Sequence, residues 1–214
     1  MRGDKLVIQE WHITAGRKAA EMILPQVNAS ADKFTITVAG ESGSGKSEIA
    51  EVIAEALGEQ DIKSVILQQD DYFILPPHSN AKKREGDISW VGMGEVKLDL
   101  LDQNLADFKA GKSEITKPLV IFDEDRAEKE TIPVSDDRVA IAEGTYTTSL
   151  ANVDCHVFID RTYHETKKAR LLRARDKQDD YLEKILEIEH KIISSHKPKA
   201  HIIVTNDYGV EKNG

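Results

Sequence analysis

The stretch Gly40-Glu41-Ser42-Gly43-Ser44-Gly45-Lys46-Ser47 constrains this chain more than any other. It has the form G-x-x-x-x-G-K-[ST], a loop whose backbone N–H groups cradle phosphates. Its flanks suit that use. Before it, Phe34-Thr35-Ile36-Thr37-Val38-Ala39 is apolar and β-branched, the composition of a buried parallel strand. After it, Ile49, Ala50, Val52, Ile53, Ala56 and Leu57 recur with helical spacing. The glycines let the chain approach an anion closely, and the helix adds the positive end of its dipole. Lys46 can reach the β- and γ-phosphates of a triphosphate, and Ser47 can offer its hydroxyl to Mg²⁺. The eight residues from Gly40 to Ser47 are therefore the expected nucleotide contacts.

The rest of the chain alternates strand and helix patterns. Gly58 closes the helix after the loop, and Ser64-Val65-Ile66-Leu67 reads as a second strand. Residues 74–94 carry Pro76, Pro77, Gly86, Gly92 and Gly94, the composition of a long functional loop. Glu95 to Lys109 places Leu98, Leu101, Leu105 and Phe108 on one helical face, and Gly111 ends it. Leu119-Val120-Ile121-Phe122 and Glu130-Thr131-Ile132-Pro133-Val134 pair as a hairpin across a polar turn. Arg138 to Ala142 is a core strand ending in Glu143-Gly144, and Cys155 to Asp160 is another. A helical region from about Tyr163 to His196, broken near Gln178, precedes a final short strand at Ile202-Ile203-Val204. Upstream, Leu6-Val7-Ile8 reads as a short strand, and Gly16 to Leu24 as a helix ended by Pro25.

This pattern predicts an α/β fold of the P-loop NTPase type. It has a parallel sheet with helices on both faces, a small lid and a β-hairpin. Residues 1–32 read as an N-terminal extension and 33–214 as the phosphate-loop domain, with the lid at about 161–180. In such sheets ligands sit outside the carboxyl ends of the strands. The phosphate loop, Asp70-Asp71 and Glu143 all fall at such ends.

A net charge of −9 disfavours non-specific nucleic-acid binding, so no nucleic-acid partner is expected. No transmembrane run or signal peptide is visible, which predicts no membrane partner and a cytoplasmic location. The one cysteine, Cys155, lies in a strand and reads as a buried thiol. The pairs His156/His164 and His190/His196 lack metal-site spacing. A homo-oligomer stays open.

The chemistry falls to a few side chains. A carboxylate at Asp70 or Asp71 can take the proton of an attacking hydroxyl or help hold Mg²⁺. Glu143 ends an apolar strand and can hold Mg²⁺ directly or through water. Arg161, Lys167, Lys168, Arg170, Arg173 and Arg175 form a basic run where a lid belongs, and arginines there can neutralise charge on a transferring phosphoryl group.

Assembled, these residues resemble the uridine kinase and phosphoribulokinase family of P-loop kinases from about Lys33 to Asn206. The ordered features are the Gly40–Ser47 loop, Gln69-Asp70-Asp71-Tyr72-Phe73, Ile88-Ser89-Trp90, Leu98-Asp99-Leu100-Leu101, Lys117-Pro118 leading to Phe122, Ala142-Glu143-Gly144-Thr145-Tyr146 and the Arg170–Arg175 helix. The resemblance implies that Asp70 activates the acceptor hydroxyl and that Ser47, Glu143 and Asp70 surround Mg²⁺. It implies that Arg170, Arg173 and Arg175 are lid arginines, and that Tyr72 and Trp90 lie on the acceptor side. Two departures stand out. Val91-Gly92-Met93 follows Trp90 where the family's nucleoside kinases carry Asp and His-Pro. Val120-Ile121-Phe122 replaces Tyr-Asp-Phe, removing an aromatic and a polar partner for a nucleobase.

The expected function is ATP-dependent phosphorylation of a small-metabolite hydroxyl, of nucleoside type, with ATP and Mg²⁺ as cofactors. The alternative is a nucleotide-binding regulator without small-molecule kinase activity.

Overall fold

The computed structural model describes residues 6–173 and 180–214, with the side chains of 169, 172 and 173 left aside. A six-stranded sheet forms the centre, in the order β2-β5-β1-β6-β7-β8. Its strands are β1 (Phe34–Gly40), β2 (Ser64–Gln68), β5 (Val139–Gly144), β6 (Cys155–Ile159), β7 (Ile202–Val204) and β8 (Val210–Lys212). All pairings are parallel except that of β8 with β7. A separate antiparallel ribbon joins β3 (Glu114–Ile121) to β4 (Arg126–Pro133).

Alternation along the strands fills a core on each face. On one face, Phe34, Ile36 and Val38 of β1 meet helices α1 (Glu10–Ala29) and α2 (Lys46–Gly58) through Ala19, Ile23, Ile49 and Ile53. On the other, Leu67, Ala140, Ala142, Phe158 and Ile203 meet Leu101, Leu105 and Phe108 of α4 (Leu98–Lys109) and Ile193 of α6 (Asp180–Ser194). In chain order the short helix α3 (Pro77–Gly86) comes between α2 and α4, and α5 (Lys167–Arg173) between α4 and α6.

Four local expectations are corrected. Leu6 to Ile8 is not a strand. Helix α1 continues past Pro25 to Ala29 instead of ending there. Full burial of Ile23 and Val27 contributes about 1.5–3 kcal/mol each, enough to offset the ~3 kcal/mol of an interior proline. Residues 74–94 are not all loop, because α3 forms within them. Pro77 opens it, where a missing N–H costs nothing, and Asp125 of the β3–β4 turn caps it through the backbone N–H groups of His78 at 2.8 Å and Ser79 at 3.1 Å. Finally, β7 is not the last strand. The chain turns through Tyr208, at φ +65°, into β8.

Candidate active site

The phosphate loop leaves β1 at Gly40 and enters α2 at Lys46. Gly43 and Gly45 sit at φ +76° and +96°, left-handed conformations that suit glycine. Neither has room for a side chain. A Cβ on Gly43 would lie 2.9 Å from Arg170 Cγ, and one on Gly45 would lie 2.7 Å from His12 Nε2. The loop is thus pressed between α1 below and the segment leading into α5 above. Two observations fit it to a phosphate. Ser44 Oγ is buried without a hydrogen-bond partner among the described residues, and α2 begins with no side-chain cap.

The expected Mg²⁺ groups come together at the strand ends. Ser47 Oγ donates to Glu143 Oε1 at 3.1 Å. Burial, with the Asp70 carboxylate nearby, pushes Glu143 up to about 7, against the pull of Lys46 and the Ser47 hydroxyl. A small oxygen-seeking cation fits this set, and its charge would favour the ionised carboxylate. Lys46 Nζ donates to the Glu41 carbonyl at 3.1 Å, folded over its own loop.

Asp70 and Asp71 part ways in the 3-10 turn Gln69–Tyr72 that follows β2. Asp71 is buried. It accepts from Lys117 Nζ at 2.7 Å and from the Val120 N–H at 2.9 Å, fastening the turn to β3. Asp70 is only partly buried and acts on Glu143. Between β2, α2 and the β3–β4 ribbon lies a cavity of about 470 Å³ whose walls include Ser47, Gln68, Asp71, Lys117, Glu130 and Glu143.

On the α5 side, Arg170 is buried. Its Nη1 donates to the Tyr163 carbonyl and to Thr166 Oγ1, both at 2.6 Å, and Thr166 Oγ1 donates to the Ser42 carbonyl at 2.8 Å. Glu41, whose backbone N–H is among the expected nucleotide contacts, turns its carboxylate to this side. It accepts from the Tyr163 N–H at 2.5 Å and meets His190 Nδ1 at 2.6 Å. Arg175 and the Arg173 side chain lie outside the described residues.

Tyr72, expected at the acceptor, is fully buried in the core, its hydroxyl donating to Asn104 Oδ1 at 2.8 Å. Burial in an apolar setting explains why a polar aromatic here serves packing. Trp90 is half-buried, and its Nε1 donates to Asn80 Oδ1 at 2.9 Å. Sequence reasoning missed the residues behind it. Asn80 and Arg84 of α3 both bind Glu95, and Arg84 also reaches Glu189 of α6 at 3.1 Å. Their spacing of four would have flagged a shared helical face had α3 been recognised.

Residues 35–202 match the family model described as the Phosphoribulokinase / Uridine kinase family. The chain belongs to this family. Its homologues in the family are kinases. A uridine kinase of Ureaplasma urealyticum serovar 10 is 30% identical over 155 residues, 71% of this chain and 73% of the relative. The bifunctional alpha-galactosidase/sucrose kinase AgaSK of Mediterraneibacter gnavus is 26% identical over 193 residues, covering 84% of this chain. This chain spans only about a fifth (21%) of that protein's length. The fold matches the crystal structure of a candidate fructose transport system kinase from Silicibacter sp. TM1040. The TM-score is 0.66 and the identity 16%, over 84% of this chain and 94% of that one. Among the described residues no helix is long and apolar enough to cross a membrane.

Proposed function

We propose that this chain is an ATP-dependent phosphotransferase acting on a hydroxyl of a small metabolite. The observation that carries the reading is the Ser47–Glu143 contact at 3.1 Å, with Lys46 on the same loop and Asp70 beside Glu143. Bound ATP with Mg²⁺ supplies the phosphoryl group. Asp70 takes the proton of the acceptor hydroxyl as its oxygen bonds to the γ-phosphorus, and the bond to the β–γ bridging oxygen breaks to leave ADP. Lys46 and Arg170 meet the negative charge of the phosphate oxygens. Ser47 and Glu143 would hold the cation. Tyr163, Thr166 and Arg170 cover the loop and keep water, the competing acceptor, from the phosphate.

The uridine kinase likeness supports a nucleoside acceptor, and the sucrose kinase likeness a sugar. The test is ATP turnover with Mg²⁺ across nucleosides, sugars, sugar acids and pentose phosphates, read by product mass. A product heavier by one phosphoryl group is expected. Nucleotide binding with no phosphorylated product from any class would overturn the reading.

A further inference from the structure

Beside the phosphate loop lies a polar network built from α3, the turn before α4, and α6. Its frame is Glu95, completely buried. Its carboxylate accepts from Arg84 Nε at 2.7 Å, Arg84 Nη2 at 2.6 Å, Asn80 Nδ2 at 2.8 Å and the Gly92 N–H at 2.9 Å. That carboxylate is saturated and holds the others in place. Asn80 Oδ1 in turn fixes the Trp90 indole. Burial works against the Arg84 charge, but the hydrogen bond to Glu95 and the charges of Glu189 and Glu95 outweigh it, so the guanidinium stays charged.

Two groups of this network are not saturated. Tyr146 is 1% exposed, yet its hydroxyl has no hydrogen-bond partner among the described residues. Its electrostatic neighbours are Glu189, Glu95 and Arg84. Glu189 accepts from Arg84 through one oxygen only, and the charge of Lys46 acts on it, which sets it beside the phosphate loop. A buried hydroxyl without a partner calls for an explanation, and a missing ligand is one.

The charges indicate what kind. The one guanidinium of this network is already engaged by both carboxylates, Glu95 and Glu189, so the network offers it to no phosphate or carboxylate acceptor. A neutral acceptor with adjacent hydroxyls meets the opposite reception. One hydroxyl donates to Glu189, a second accepts from Tyr146, and a C–H face lies on the half-buried Trp90 indole. We propose that Trp90, Tyr146 and Glu189, framed by Asn80, Arg84 and Glu95, bind a neutral polyhydroxylated acceptor, a free sugar or sugar alcohol. This inference rests on the phosphotransferase reading and names the acceptor class for the same site.

The test uses the full chain and two readouts. The first is the product screen with ATP and Mg²⁺. The second is equilibrium titration of acceptors without ATP, followed by the fluorescence of Trp90 in a Trp11→Phe background, which leaves it the sole tryptophan. Neutral sugars or sugar alcohols are expected to be phosphorylated and to shift the fluorescence saturably. Glu189→Ala should weaken their binding at least tenfold and Tyr146→Phe several-fold, with the KM for ATP unchanged in Tyr146→Phe. Phosphorylation confined to nucleosides or anionic acceptors would overturn the inference and leave the kinase reading standing. So would sugar binding that neither substitution weakens. No product from any class, with ATP bound, would overturn both.

Discussion

Glu41 and His190 meet at 2.6 Å between Oε1 and Nδ1, across 149 residues of chain. The second residue of the phosphate loop is thereby tied to the helix that carries Glu189. The same carboxylate receives the Tyr163 N–H, so one side chain joins the loop to both pieces that cover it. Glu41→Ala removes both ties. The expected loss of nucleotide affinity is about 1–2 kcal/mol, measured by calorimetric titration. Unchanged affinity would reduce the contact to a passive one.

Asp70 and Lys46 should fail differently. Asp70→Asn keeps the size of the side chain but cannot accept the proton. Its kcat should fall by about 10²–10⁴-fold, with nucleotide affinity altered little. Lys46→Ala should weaken both, because its charge serves bound and reacting phosphate alike. Single-turnover rates beside nucleotide titrations separate the two. An unchanged kcat in Asp70→Asn would remove Asp70 from its role.

The Lys117–Asp71 pair is a stability matter. Its atoms are 2.7 Å apart, and the side chains are 7% and 2% exposed. Lys117→Met takes the ammonium partner away from the buried Asp71 carboxylate, at a cost of about 3–5 kcal/mol. The double variant Lys117→Met/Asp71→Asn should recover much of this in denaturant unfolding. Equal losses in the single and double variants would contradict the account.

Acid should find His156 early. Burial, with the charges of His201 and Lys199, lowers it to about 4, and its Nδ1 shares a hydrogen with Thr37 Oγ1 at 2.7 Å. The folded state therefore favours the neutral ring. Its contribution is full above the unfolded pKa of about 6.5 and is lost as pH falls toward 4, a difference of about 2–3 kcal/mol. In His156→Gln this part of the acid limb should flatten. An unaltered limb in unfolding curves between those pH values would refute the assignment.

The phosphate loop and the strand end at Glu143 were legible because their signals are local. An apolar β-branched run, a glycine pattern and a helical repeat each sit within one short window. Helix α3 was not, because its cap is Asp125, 47 residues beyond His78. Without α3, the Arg84–Glu95–Glu189 network has no sequence trace. Tyr72 shows the converse limit. The aromatic motif was visible, but which way the turn faces depends on Lys117 and Asn104 from other elements. Asp70 and Asp71 are adjacent and chemically alike, and only the partner on β3 tells them apart.

The seating of α1 decides where this chain can be cut. The family match begins at residue 35, after α1 has ended. Yet Gly16 of that helix leaves no room for a side chain against Val52, whose Cβ would be 2.6 Å away, and His12 sits on Gly45. A fragment starting at Phe34 would retain every residue of the phosphate loop and strip the apolar floor from beneath α2. Ile49, Val52 and Ile53 would then open to water, and the loop would lose the imidazole that lies against Gly45. The motif's edge and the folding unit's edge are different places in this protein.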